Sequence, residues 1–393
     1  MTQKHILIVC GEASGDLNAA NLINALKQKD PYIRISGAGG RHMKKSGAEV
    51  FYDIENLSVI GLFDVLKKLP EFFRLKKIIL QKIALEKPDA IILVDFSGFN
   101  LRLAKEINPS TTLRINGEQS RTINNKIPVI YYISPQVWAS RQGRIKTIKE
   151  YISKMIVLFK FEEDFYSRHG IKADFIGHPL LDIVHPSMDK KQFLAESGID
   201  ESKQIIALLP GSRVSEIKNI LPVMLKTAIL INEKIPGIQF IIAKSANINI
   251  DIYNNLRRGY NLDLKIIEGK TYDCLNCADF CLVASGTATL ETAIMQKPFV
   301  IIYKMSLLNY LLYRPQIKVP YIGMANIVAS KMIVPEFIQF KAKPKAIAKQ
   351  VLYFLTHPQE LEKLKDNLAQ TKKLLGGNNA ASQAAKIILD FLT

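Results

Sequence analysis

The sequence of 393 residues holds four cysteines and one tryptophan, and has no apolar run of the ~18 residues that a membrane-crossing helix needs. Cys10, Cys274, Cys277 and Cys281 do not make a disulfide framework in a chain of this length. Three of them cluster as Cys-x2-Cys-x3-Cys, yet no His or further Cys stands where it would complete a zinc set. They read as small buried packing residues, and no metal or other cofactor is expected. A signal-peptide pattern is missing as well, because the N-terminus runs straight into an apolar segment, so the chain is expected in the cytoplasm. There is no G-x4-G-K-[ST] sequence, which excludes the usual ATP-hydrolysing phosphate loop. No G-x-G-x-x-G follows the first strand of either half, which weakens a dinucleotide dehydrogenase.

What the chain has in plenty is positive charge. Lys and Arg total 53 against 36 Asp and Glu, a formal net charge of +17 whose long-range field attracts anions. Zinc fingers, aromatic RNA-binding signatures and long basic helices are missing, so an anionic membrane face or phosphorylated ligands fit better than nucleic acid. Hydrophobic residues make up 48% and charged residues 23%, the balance of a globular chain, and the length implies about two domains.

The first segment predicts a strand over His5–Cys10, a loop Gly11-Glu-Ala-Ser-Gly-Asp16 and a helix to about Lys29. Further strand-like runs fall at Ala90–Asp95, Val129–Ile133, Met155–Phe159 and Asp174–Ile176. A second series begins at Ile205 and returns at Ile238–Ala243, Leu264–Ile267, Phe280–Ala284 and Phe299–Tyr303. Continuous apolar runs alternating with helices predict parallel sheets covered on both faces. The expected domains are 1–177, 178–355 and a helical tail, 356–393, packing across both. In such sheets ligands sit at the C-terminal ends of the strands, so the informative loops follow strands.

Ser285-Gly-Thr-Ala288 follows a strand and opens a helix, and its small residues can bring backbone N–H groups to a diphosphate. Glu291, one turn on, can accept hydrogen bonds from ribose hydroxyls. A plain helix cap with a favourable acid in its first turns fits those residues equally. The loop Leu209-Pro-Gly-Ser-Arg213 adds Gly211, Ser212 and a guanidinium suited to phosphate oxygens. In the first half, Asp95 ends a strand and suits general-base work on a sugar hydroxyl, or else caps the next helix. Glu12, Ser14 and Asp16 suit a polyhydroxylated acceptor, with an N-cap as the other reading of Asp16. His178 and Trp138 read as packing residues. The stretch 57–79 mixes Val59, Ile60, Leu62, Phe63, Phe72 and Phe73 with Lys67, Lys68, Arg74, Lys76 and Lys77. It suits either a membrane-surface anchor or a core helix with a basic outer face. The polar stretch 108–125 reads as a surface loop.

Taken together, Gly11–Asp16, Val94-Asp95 with Phe99-Asn100, Ser134–Ala139 with Arg141-Gln142, Phe175–Pro179, Leu208–Arg213 and Ala284–Glu291 resemble the lipid-A-disaccharide synthase family, in order and along nearly the whole chain. The resemblance implies an α/β GT-B glycosyltransferase of two Rossmann-like domains with parallel sheets facing a central cleft. It implies a metal-independent, inverting transfer from UDP-2,3-diacylglucosamine to 2,3-diacylglucosamine 1-phosphate at the cytoplasmic face of the inner membrane, with a homodimer allowed. Asp95 matches the family's essential aspartate, and Arg213, Ser285, Gly286, Thr287, Glu291 and Asn326 match its donor side. Glu12, Ser14, Asp16 and Asn100 match its acceptor side. Ser97-Gly98 stands where the family usually has Pro-Asp, Ser140 stands where it has a second Trp, and 108–125 looks like an insertion. A GT-B protein acting on a soluble acceptor and a non-catalytic nucleotide-sugar sensor are the alternatives.

Overall fold

The computed structural model describes residues 3–54, 69–108, 126–307, 310–311 and 319–393. Val59, Ile60, Leu62, Phe63, Lys67 and Lys68 lie outside them, as does nearly all of the 108–125 stretch.

By contacts the chain divides into two compact units, Met1–Pro179 with Gly377–Thr393, and Leu180–Gly376. The first contains strands β1 (His5–Val9), β2 (Arg34–Gly39), β3 (Glu49–Asp53), β4 (Ala90–Val94), β5 (Val129–Tyr132), β6 (Lys154–Val157) and β7 (Ala173–Phe175). They form one parallel sheet in the order β3-β2-β1-β4-β5-β6-β7. Between and after them run α1 (Ala13–Lys29), α2 (Arg41–Lys45), α3 (Leu69–Glu86), α4 (Ser97–Ile107), α5 (Ile145–Tyr151) and α6 (Lys160–Ser167).

The second unit repeats this plan. Strands β8 (Ile205–Leu209), β9 (Gln239–Lys244), β10 (Leu264–Glu268), β11 (Phe280–Ala284), β12 (Phe299–Tyr303) and β13 (Glu336–Ile338) form a parallel sheet ordered β10-β9-β8-β11-β12-β13. Its helices include α7 (Leu180–Ile183), α8 (Lys190–Ser197), α9 (Val214–Asn232), α10 (Ile250–Arg257), α11 (Thr271–Cys277), α12 (Thr287–Ile294), α13 (Met324–Ala329), α14 (Pro344–Thr356) and α15 (Pro358–Leu374).

The reason for both sheets is visible in the strands themselves. β1, β4, β8 and β11 read HILIV, AIILV, IIALL and FCLVA, and every residue in them is buried. An unbroken apolar strand is stable only with helices on both faces, and a parallel sheet needs helical crossovers to connect its strands. Cys274, Cys277 and Cys281 are buried within the second core. Desolvation raises their thiols, Cys277 to about 11, so they pack as small apolar groups.

The tail is divided rather than continuous. α15 stays with the second unit, the chain returns at Gly376-Gly377, and α16 (Ala380–Phe391) packs on α1 through Ala384, Ala385 and Ile388. Strand order reverses between β1 and β4 in the first sheet and between β8 and β11 in the second. At such a switch point the loops diverge to opposite faces and leave a crevice beyond the strand ends.

Candidate active site

In the second unit, the loops after β8 and β11 border a pocket of about 560 Å³. Gly211, Ser212, Arg213, Ser285, Gly286, Thr287 and Glu291 all line it. Gly286 caps α12 at φ 148°, a value L-residues rarely adopt, and a Cβ there would meet open space. The exposed start of α12 therefore offers its N–H groups to an anion. Ser285 is tied down: its Oγ donates to the Ile322 carbonyl at 3.1 Å. On the other loop Gly211 has φ 112°, and a Cβ would come within 2.5 Å of the Glu216 carboxylate. That close approach lets Glu216 accept from the Ser212 N–H at 3.1 Å and draw in Arg213 at 3.4 Å. The Arg213 side chain is 72% exposed, so its guanidinium is held only loosely and is free to turn to a phosphate. Burial raises the Glu291 carboxyl above the usual range.

Asn326 is not a lining residue of this pocket. It is fully buried, its Nδ2 donates to the Val334 carbonyl and Glu336 Oε1, and its Oδ1 accepts from the N–H groups of Ile333 and Val334. Glu336 in turn accepts from the N–H groups of Ile322 and Gly323. Asn326 thus positions the backbone that holds Ser285 instead of reaching a ligand directly. Lys244 is a lining residue that the sequence reading missed. Buried at the end of β9, it pairs with Glu268 at 2.9 Å. A cation closing an apolar strand, as Arg213 follows β8, was the available signal.

In the first unit, Asp95 and Phe96 stand at φ 49° and 43°, two consecutive left-handed residues with side chains, directly after β4. Such strain persists only when surroundings enforce it. Tyr131 Oη donates to the Asp95 carbonyl at 2.6 Å, and Asn100 Nδ2 donates to the carbonyls of Val94 and Asp95 at 3.1 and 3.0 Å. Asn100 is fully buried and holds the turn through its Nδ2, while its Oδ1 has no hydrogen-bond partner among the described residues. Asp16 has a structural role too: buried, it accepts from the N–H groups of Gly40, His42 and Met43 at the start of α2. Glu12, the N-cap of α1, and Ser14, in its first turn, remain exposed.

The turn sets Asp95 in a partly desolvated place. Burial pushes its carboxyl up to about 6, a hydrogen bond with Asn18 works against that rise, and the nearby Glu12 adds to it. Asn18 was not singled out in the sequence, although it lies one helical turn beyond Ser14 on α1. Trp138 is buried, and its Nε1 donates to Glu162 at 3.0 Å. His178 is buried against Phe159, with ring centroids 5.1 Å apart, and desolvation lowers it to about 4, leaving it neutral. Phe72 packs near Phe96 and Phe99, while Phe73 is 62% exposed.

Comparison with known proteins agrees with this architecture. Among solved structures, the UDP-GlcNAc 2-epimerase from Neisseria meningitidis bound to UDP-GlcNAc superposes with a TM-score of 0.59 at 13% identity, over 99% of each chain. CalG4, the calicheamicin glycosyltransferase, also gives 0.59 at 13% identity, over 100% of this chain and 99% of its own. These likenesses establish the fold as GT-B and nothing further. The lipid-A-disaccharide synthase of Syntrophus aciditrophicus is 38% identical over 393 residues, covering 100% of this chain and 99% of that protein. The lipid-A-disaccharide synthetase family profile matches residues 6–389. With that match spanning both units and the loops at both switch points, the chain belongs to the lipid-A-disaccharide synthetase family, glycosyltransferases of lipid A biosynthesis.

Proposed function

We propose that the second unit binds UDP-2,3-diacylglucosamine and that the first unit presents 2,3-diacylglucosamine 1-phosphate to it. The 6-hydroxyl oxygen of the acceptor attacks the donor's anomeric carbon while the bond from that carbon to the UDP oxygen breaks. The configuration inverts, and the products are the β-1,6-linked disaccharide 1-phosphate and UDP. The observation that carries the donor side is the convergence of the Ser285–Thr287 and Gly211–Arg213 loops on one pocket. There the start of α12 and Arg213 meet the diphosphate and offset the charge that grows on the leaving oxygen. Glu291 accepts from the ribose hydroxyls.

On the acceptor side Asp95 takes the hydroxyl proton. A carboxyl raised to about 6 is mostly ionised at pH 7 and yet basic enough to receive a proton in the transition state. Glu12 and Ser14 contact the acceptor sugar, while Asn18 orients the base. The reaction draws on no metal: cationic and N–H groups of the protein carry the leaving-group charge.

Among the described residues no helix is long and apolar enough to cross a membrane. The net charge of +17 and the exposed Phe73 beside Arg74, Lys76 and Lys77 support docking on the anionic cytoplasmic face of the inner membrane. One assay tests the whole reading. Incubating the protein with the acylated donor and acceptor should release UDP and yield the disaccharide phosphate by mass spectrometry. Equal rates with a deacylated acceptor would favour a soluble substrate, and no UDP release at saturating protein would favour a sensor.

A further inference from the structure

Close to Asp95, where the turn Gln142–Arg144 meets the start of α4, lies a group of guanidinium side chains that the steps above do not use. Arg144 ends the short turn Gln142–Arg144 before α5, is half-buried, and its Nη1 donates to Ser97 Oγ at 2.8 Å. Ser97 is the first residue of α4, two positions after Asp95. Arg141 opens that same turn at φ 56°, a strained conformation for a residue with a side chain. Arg102 stands on α4, which packs against α5. The three are near enough that Arg141 and Arg102, after burial, lower the Arg144 guanidinium below its ordinary value.

Like charges so gathered repel, and a folded chain normally intersperses carboxylates among them. Among the described residues, none of the ion pairs involves Arg102, Arg141 or Arg144. The adjoining start of α4 is equally uncompensated: its N-cap is Phe96 with no side-chain cap, its first turn holds no acid, and the space over Gly98 is open. A dianion placed there would meet guanidinium forks, a hydroxyl and free helix N–H groups together.

We infer that Arg144, with Arg141 and Arg102 and the first turn of α4, forms the subsite for the phosphomonoester of the acceptor. The inference rests on the reading that Asp95 serves the acceptor. The donor diphosphate is the less fitting occupant, because the loops assigned to it belong to the other unit. Charge also gives the subsite a direction. Glu12 and Asp95 lie close enough to raise the latter's carboxyl, so they repel a phosphate and favour the neutral, hydroxyl-bearing end of the sugar. The arginines anchor the opposite end, and one sugar is oriented by both.

The test compares the wild type with Arg144→Gln and Arg141→Gln, using 2,3-diacylglucosamine with and without its 1-phosphate. Binding is measured by calorimetry and turnover by UDP release, and thermal melts check folding. The wild type should bind the phosphorylated acceptor at least tenfold more tightly than the other. Each variant should lose most of that preference, with KM for the donor unchanged and no added loss on the unphosphorylated acceptor. Equal losses on both acceptors, or no phosphate preference in the wild type, would overturn the inference. So would variants that keep the preference yet bind phosphatidylglycerol vesicles less well, since the arginines would then serve membrane phosphate. Phosphate-dependent binding without turnover in the wild type would sink the transfer reaction and leave the subsite standing.

Discussion

Tyr131 Oη donates a hydrogen bond to the main-chain carbonyl of Asp95 at 2.6 Å, and with Asn100 it fixes the left-handed turn that carries the Asp95 carboxylate. The ring is buried in β5 and packs whether or not the hydroxyl is present. Tyr131→Phe should therefore keep the fold, losing about 0.5–1.5 kcal/mol of stability for one hydrogen bond, since the carbonyl still accepts from Asn100. Turnover should drop more than KM for either substrate, because the turn relaxes and misplaces the base. A kcat equal to wild type in a correctly folded Tyr131→Phe would show that the turn needs no such tether.

Asp95 ties activity to pH in a definite direction. With its carboxyl raised to about 6, kcat/KM should fall about tenfold per unit as pH drops below 6, since only the ionised form accepts a proton. Asp95→Asn should bind UDP normally but lose ~100-fold or more in kcat.

The same raised value has a stability consequence of opposite sense. A carboxyl with a higher value folded than unfolded favours the native state at low pH, and that contribution is lost as pH rises from about 4 through 6. Asp95→Asn, which has no charge to bury, should thus melt at or above the wild-type temperature at pH 8 and show a smaller gain at pH 4. A variant less stable than wild type at pH 8 would mean that the carboxylate is a structural asset rather than a base held under strain.

How far the sequence reveals this molecule depends on where its signals are local. The strands β1, β4, β8, β11 and β12 are uninterrupted apolar runs, so their positions and the parallel arrangement follow from pattern alone. β2 escapes notice because Ser36, Gly37 and Gly39 dilute it, and a Cβ at Gly37 would strike the Ile8 carbonyl in β1. β3 is half-exposed and β13 spans three residues, too short to carry a period. At the site, residue type identifies which side chains are able to act but not which are already engaged. Asp16 and Asn326 look like ligand contacts in sequence, yet both are engaged by backbone groups brought close by the fold, and Asn100 gives its Nδ2 to two carbonyls. Asn18 and Lys244 illustrate the reverse, being unremarkable until the strand ends converge around them.

Arg213 and Glu216 offer a test of the donor loop. Arg213 is largely exposed and makes one long contact with Glu216, so its removal should leave stability within about 0.5 kcal/mol. Affinity for UDP should weaken roughly tenfold or more in Arg213→Ala, and hardly at all for uridine, which lacks the phosphates. Parallel loss for both ligands would place the arginine away from the diphosphate.

Glu162 provides the contrasting case, a buried acid whose work is architectural. Its carboxylate accepts from Ser134 Oγ, Trp138 Nε1 and the N–H groups of Leu158 and Phe159, joining the loop after β5 to the start of α6. Burial dominates its titration and raises the carboxyl to about 7, although each of these donors pulls the other way. Glu162→Ala strands two backbone donors and the indole in a dry interior, so it should cost about 2–4 kcal/mol and lower the melting temperature by several degrees. Glu162→Gln keeps an acceptor oxygen for one pair of donors and carries no charge, so its loss should be smaller than that of the Ala variant at pH 7 and should grow toward pH 5, because a carboxyl raised by folding makes the wild type more stable as it takes up its proton. Equal melting of the Ala and Gln variants at both pH values would mean that the side chain matters for the space it fills and not for the donors it satisfies.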